Sequence, residues 1–324
     1  MSYQSFIPFT VSGSTSFTLT ASELIENALD VLQVGVDGEG VEPEYYSRGL
    51  LALNLVLREL QAQGLHIASF RTGYVFPPPG SNEMIVEDVK ATNVYYDTTL
   101  SANATSPTTS ITVTDSTNMA VGDTIGILKN DSTLFWSTIS SITPTVAPAA
   151  TIVIADSLDG DADSGCEVFN YTNSIQPIDR VLKISRRDNF TTDSPISMLS
   201  RDEYESLPYK SSNSGAPSLA YYWRSLGKGT LFLWPPVADS TYIIRLWYEQ
   251  RIDDLKNPTD LLDLDRMYLP VVVHTLALRM CARLGISTEI YQRVKMEQQE
   301  IMANALSFDD EVEPIKVSLQ RSNW

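Results

Sequence analysis

Two histidines, His66 and His274, are the only side chains here that ordinarily titrate near neutrality. His66 follows the end of a helical stretch, where a cation complements the helix dipole, and His274 lies within an apolar helical run, so both read as structural. No Ser-His-Asp arrangement can be drawn from them. The run "DSLDGDADSGCE" spaces Asp159, Asp161 and Asp163 as a D-x-D-x-D calcium loop does, where alternate residues of a tight loop turn oxygens toward a hard cation. The remainder departs from that pattern: glycine comes one place late, at Gly165, and position twelve is Asn170 instead of glutamate. An acidic turn is the expectation. "GVDGEG" (35–40) follows a helix and not a strand, which argues against a phosphate cradle. Cys166 and Cys281 lie far apart with no C-x-x-C or histidine neighbour, and read as buried free thiols. The forty acidic residues offer so many carboxylate pairs for glycan hydrolysis that none is singled out. No catalytic, cofactor or metal residue is assigned, and a non-enzyme is expected.

The balance of 23 Lys and Arg against 40 Asp and Glu, a net charge of −17 over 324 residues, argues against a protein that grips nucleic acid. Such affinity comes from cations that displace phosphate counterions. Acidity is compatible with DNA sliding past, and also serves solubility. No stretch is long and apolar enough to span a bilayer, and the polar start "MSYQSFIPFTVSGSTS" lacks the regions of a signal peptide. Synthesis and retention in a cytoplasm, with no membrane partner, is the expectation.

Positioning elements follow from periodicity. Thr20 and Glu23 have the T-x-x-E spacing of a capping box, opening a helix with Leu24, Ala28, Val31 and Leu32 on one face and Gly35 as its stop. Pro43 suits the first turn of a second helix, in which Leu50, Leu53, Leu57 and Leu60 form a stripe ended by Gly64. The period then becomes two. Residues 65–80 read as strand and turn, and from about 93 to 173 the chain is rich in Thr, Ser, Ala, Asp and Val. Five short β-patterned runs there, "SITVTD", "DTIGIL", "LFWSTISSI", "TIVIAD" and "CEVFNYT", predict a small all-β module. β-patterned sequence with a short helix at 200–207 continues to 258. Two helices follow, the first stopped by Gly285 and the second carrying Ile290, Val294, Ile301 and Ala305 on one face. The expected class is α+β: a helical bundle from the N- and C-terminal helices, a β-rich body and an inserted all-β domain. The divisions are 1–92 (helical pair and first strands), 93–173 (insert), 174–258 (body), 259–306 (helices completing the bundle) and 307–324 (tail). In the tail Pro314 disfavours helix at Glu313, Ile315, Val317 and Leu319 alternate with polar residues, and Trp324 offers an interface anchor. A frayed terminus is the alternative.

The succession "LTASELIENALDVLQV", "GLLALNLVLRELQAQGLHI", "AVGDTIGIL", "LFWSTI", "GAPSLAYYWR" and "GTLFLWPPVADSTYIIRLWYEQRIDDL" before a helical C-terminus resembles the head-to-tail adaptor proteins of tailed bacteriophages. These are also called tail accessory or packaged-DNA stabilisation proteins. The likeness runs from Leu19 to about Leu306, and the N-terminal "MSYQSFIPFTVSGSTSF" lies outside it. It implies a structural virion protein at the head-tail junction, assembled in the host cytoplasm. Such proteins form a ring, usually of twelve copies, beneath the portal protein. The ring lengthens the channel, helps retain packaged DNA without binding it tightly, and gives tail or nozzle proteins a platform. By the same resemblance, the stripe Leu50, Leu53, Leu57 and Leu60 contributes to bundle and subunit contacts, and Pro314, Ile315, Val317, Leu319 and Trp324 dock on the portal. Burial of the leucines within their own chain stays open. Two other functions stay open as well: peptidoglycan cleavage, credited to some adaptors, and receptor or carbohydrate binding through the Thr-rich insert with its exposed-looking Trp136.

Overall fold

The computed structural model describes residues 19–34, 43–63, 70–86, 90–210, 214–225, 228–252, 254–262, 264 and 266–309. The chain forms two compact units, one from residues 1–69 and 252–324, the other from 70–251.

The first unit holds α1 (Ala21–Val31) and α2 (Pro43–Ala62). The predicted capping box is present: the Thr20 N–H donates to Glu23 Oε2 at 2.7 Å, and the Glu23 N–H donates to Thr20 Oγ1 at 3.3 Å. Two further N–H groups at this helix start find acceptors in the distant C-terminal half, Ala21 on the Asp260 carbonyl (2.9 Å) and Ser22 on that of Pro258 (2.8 Å). Asn54 clasps the Leu255 backbone at both ends of its amide, each bond 2.9 Å. Leu24, Ile25, Ala28, Leu29 and Leu32 of the α1 segment are buried, against Ala52, Leu53, Val56, Leu57 and Leu60 of α2 in one apolar core. Gly49 lets the two helices approach, since a Cβ there would stand 2.8 Å from the Ile25 side chain.

Helix α1 closes two residues before the expected Gly35. The Val34 N–H donates to the Leu29 carbonyl (3.0 Å) and the Gln33 N–H to that of Asp30 (2.9 Å), with Gln33 at φ 59°. This is a Schellman closure, which needs a left-handed residue, and here a glutamine supplies it.

The strands of the second unit begin with β1 (Phe70–Val75), β2 (Glu83–Ile85), β3 (Ala91–Thr92) and β4 (Tyr96–Thr99). Then come β5 (Ser110–Val113), β6 (Thr124–Leu128), β7 (Leu134–Pro144), β8 (Ala150–Ile154) and β9 (Glu167–Tyr171). After β10 (Ile178–Asp188) and β11 (Thr192–Met198) a short helix, α3 (Arg201–Glu205), precedes β12 (Leu219–Arg224), β13 (Gly229–Trp234) and β14 (Ile243–Gln250). Eight of these form a sheet in the order β2-β13-β12-β11-β10-β14-β1-β3. One face buries Val75, Ile184, Leu231, Ile244, Leu246 and Tyr248. Strand β11 contains Pro195, a residue that disfavours the centre of a sheet. The proline is tolerated because β12 pairs with β11 only at Ser197 and Met198, leaving Pro195 with β10 as its one neighbour.

The other sheet runs β4-β9-β6-β7-β8-β5, and all five runs expected in 93–173 are strands of it. A bridge between Leu100 and Val113, flanked by bonds from the Ser101 N–H to the Thr112 carbonyl and from the Thr114 N–H to that of Thr99, joins its two ends. The result is a six-stranded barrel filled by Leu100, Val113, Ile125, Ile127, Ile152 and Val168. Thr92 bridges Ser174, so the chain enters and leaves the barrel at adjacent points.

In the helical unit, a 3-10 turn (Arg266–Tyr268) leads into α4 (Leu269–Leu284), which Gly285 ends at φ 64° as expected. Helix α5 (Thr288–Asp309) continues past the expected division at 306. Val272, Leu276, Ala277 and Met280 of α4 and Val294 and Ala305 of α5 join the core of α1 and α2. On α5, Ile290 and Ile301 pack against that core partly buried.

A β-carbon in the left-handed region costs about 1–2 kcal/mol. Gln33→Gly is therefore expected to raise stability by about 1 kcal/mol in urea unfolding, and a neutral or lower value would show that the closure is unstrained.

Candidate functional site

Among the described residues, His274, Asp159 and Asp161 have partners within the fold. In α4 the His274 Nδ1 lies 2.8 Å from the Pro270 carbonyl one turn back, and Nε2 faces Glu297 of α5 at 3.9 Å. His66, the run 35–40 and Gly64 lie outside the described residues. The three aspartates of the D-x-D-x-D spacing attend to different neighbours. Asp159 pairs with Lys129 Nζ at 3.0 Å, Asp161 Oδ1 accepts from the Ser106 N–H at 2.8 Å, and the Asp163 N–H donates to Asn130 Oδ1 at 3.0 Å. Among the described residues no three His, Cys, Asp or Glu side chains converge as metal ligands. Cys281 is buried in the helical core, and burial pushes its thiol pKa up, away from the reactive thiolate. Cys166, expected to be buried, is only half-buried near the barrel end that holds Asn130.

Helix α2 carries leucines on two opposite sides. Leu53, Leu57 and Leu60 of the α2 stripe are buried in their own chain and Leu50 is half-buried. The opposite side of α2 presents Leu51, 56% exposed, and Leu55, 39% exposed. Pro314, Ile315, Val317, Leu319 and Trp324 lie outside the described residues.

A second feature ties barrel to sheet. Phe169 of β9 is fully buried against Phe76, Tyr95 and Phe190, with ring centroids 5.0–5.8 Å apart. Trp136 of β7 joins this group edge-on to Phe76 at 5.2 Å and to Tyr171 at 5.9 Å. Its face covers Gly126 on the neighbouring strand, where an added Cβ would meet the indole at 2.6 Å. The exposed-looking tryptophan is thus half-buried, a correction that depends on residues far away in sequence. A groove of about 260 Å³ beside it is lined by Phe76, Pro77, Pro78, Pro79, Lys90 and Leu134.

The outward face of the eight-stranded sheet is charged. Arg187 Nε and Nη2 donate to the two Asp193 oxygens at 2.9 and 3.3 Å, and Arg245 Nη1 reaches the same carboxylate at 3.2 Å. Hydrogen bonding to Arg187, opposed in part by desolvation, holds the Asp193 pKa below the usual carboxylate range. Arg187 is raised in turn, chiefly by that bond. Its Nη1 also donates to the Tyr95 hydroxyl at 3.1 Å, while burial raises the Tyr95 pKa. Trp247 lies between Lys183 Nζ, 4.9 Å from its ring centroid, and the Arg245 guanidinium carbon, 4.3 Å from it. Sequence pattern alone did not reveal this face. Strand β10 carries two register shifts, between Ile178 and Arg180 and between Val181 and Lys183, which break simple alternation.

Comparison with known proteins gives one family match. The family described as SU10 adaptor protein matches residues 108–309, more than half of the chain, from within the barrel to the end of α5. No curated protein matches the sequence.

Removing a fully buried ring from this junction leaves a cavity, and such changes cost about 3–5 kcal/mol. Phe169→Ala is expected to lower unfolding free energy by about that amount in denaturant titration; a loss under 1 kcal/mol would mean that the junction contributes little. Asp193 has a depressed folded pKa, so its contribution is complete above the unfolded value of about 3.9 and disappears as pH falls through the folded value. Asp193→Asn should flatten the acid limb of a melting-temperature profile below about pH 4. An acid limb identical to that of the parent would exclude this linkage.

Proposed function

The chain belongs to the SU10 adaptor protein family, a structural bacteriophage adaptor family, and on that premise we propose that it forms the ring joining portal to tail. The family match over 108–309 carries the proposal. In this reading copies assemble beneath the portal, extend the DNA channel and give tail components their platform, with twelve copies as the expected number. The charge of −17 supports a conduit that keeps duplex DNA moving, since it supplies few cations for phosphate. The four-helix core with its stripe Leu53, Leu57 and Leu60 is the rigid part of each copy, and Leu51 and Leu55 on the far side of α2 are the residues we assign to a neighbouring subunit. The barrel is proposed as an insert at 93–173: its own apolar filling and the Thr92 to Ser174 bridge both support that division.

The tail 310–324 is proposed as the portal-docking segment, through Pro314, Ile315, Val317, Leu319 and Trp324. Negative-stain images of the protein mixed with its portal test the ring, which should appear as an added disc on the portal's tail side. Truncation after Asp309 should leave a folded chain, by circular dichroism and melting, that no longer sediments with portal. Unchanged co-sedimentation would take docking away from the tail, and absence of any disc with the full chain would reject the adaptor ring itself.

A further inference from the structure

The charge of this chain is unevenly placed. Residues 93–173 hold nine carboxylates and a single lysine, Lys129. At one end of the barrel Asp131, Asp159, Asp161 and Asp163 are exposed around that lysine; Asp131 and Asp159 pair with Lys129, Asp131 accepts from the Thr133 hydroxyl and Asp161 from the Ser106 N–H, all on the barrel itself. The outward face of β10, β14 and β1 has the opposite character. Arg180, Lys183, Arg187 and Arg245 stand there against Glu249 and Asp193, and Arg187 and Arg245 share the latter carboxylate. Lys183 is exposed, its Nζ 4.9 Å from the Trp247 ring centroid. Register places Phe70 opposite Glu249, Glu249 opposite Arg180, and Trp247 opposite Lys183. Phe70 is 54% exposed and Leu182 42% exposed, so an apolar and aromatic centre lies among the cations. Tryptophan and arginine in that arrangement are the residue types that carry binding energy at protein interfaces.

We infer that this face of β10, β14 and β1 receives the acidic barrel end of a second copy of the chain, head to tail. The inference rests on the adaptor-ring reading. Two different, complementary patches on one molecule make a heterologous contact, the kind that repeats around a ring when its rotation closes. Nucleic acid could also use the cations, but the neighbouring copy offers four exposed carboxylates without adding counterion-rich phosphate to a chain of charge −17. Opposite charge steers encounter and sets register, while Trp247, Phe70 and Leu182 supply the desolvated centre.

The test uses the full chain in analytical ultracentrifugation, alone and with portal. Leu182→Glu with Lys183→Glu reverses the sheet face, and Asp159→Lys with Asp163→Lys reverses the barrel end. Each reversed chain should need at least tenfold higher concentration for half-assembly, and an equimolar mixture of the two should regain assembly, because each reversed face then meets an opposite one. That rescue separates a lost interface from a lost fold, which melting curves check independently. Raising salt from 0.1 to 1 M, which shortens the screening length from about 10 to about 3 Å, should weaken the wild-type assembly. Rings that form equally well from either reversed chain would overturn this surface and leave the adaptor ring standing. Failure of the mixture to recover assembly would overturn the pairing. Unaltered assembly with lost duplex-DNA binding in the Leu182→Glu, Lys183→Glu chain would reassign the face to nucleic acid. A wild-type chain that forms no ring either alone or on portal would reject both readings.

Discussion

The first N–H groups of a helix have no partner within it, and the way α1 meets that demand governs how this chain is put together. Thr20 and Glu23 satisfy part of it locally, while Ala21 and Ser22 take the carbonyls of Asp260 and Pro258. Asn54 repeats the link by binding the Leu255 backbone through both ends of its amide. The helical core therefore draws on segments from both halves of the sequence, while residues 70–251 form a separate β unit. A surface salt bridge in the same place would contribute little, whereas buried backbone groups without partners each cost about 1–3 kcal/mol.

Within the β unit three apolar clusters divide the labour. One fills the barrel, one lies under the eight-stranded sheet, and the aromatic group around Phe169 joins them. Rings suit such a junction because each buries a large area while tilted and edge-on contacts add directional preference. A barrel with its own filling but an aromatic seam to the sheet differs from a lobe on a flexible tether. Cutting it out would leave Phe76, Phe190 and Tyr74 facing water, so the independence of the remainder depends on how those rings repack.

Much of this was legible because it is local. The capping box, the helical stripes, the Gly285 stop and five of the six barrel strands each follow from residue types at short spacing. What could not be read depends on partners remote in sequence. Trp136 looks exposed in a polar Thr-rich run, yet it packs on Gly126 across the ladder and against Phe76, which follows β1. Whether β11 tolerates Pro195 depends on where β12 stops pairing. The Lys183–Trp247–Arg245 arrangement arises from bulges in β10 that no period-two scan anticipates. Gln33 in a position that usually takes glycine is a local departure, decided by the Schellman bonds to Leu29 and Asp30.

The closure of the barrel at Leu100 and Val113 has a consequence for life in a crowd. Open strands are templates, and molecules held side by side at high local density can zip together through unpaired N–H and C=O groups. Here the β-rich lobe offers no free ladder at that seam, and the outermost strands of the other sheet, β2 and β3, are three and two residues long. A barrel closed in this way can be crowded against others through its side chains, because the backbone groups at the Leu100–Val113 seam are already paired.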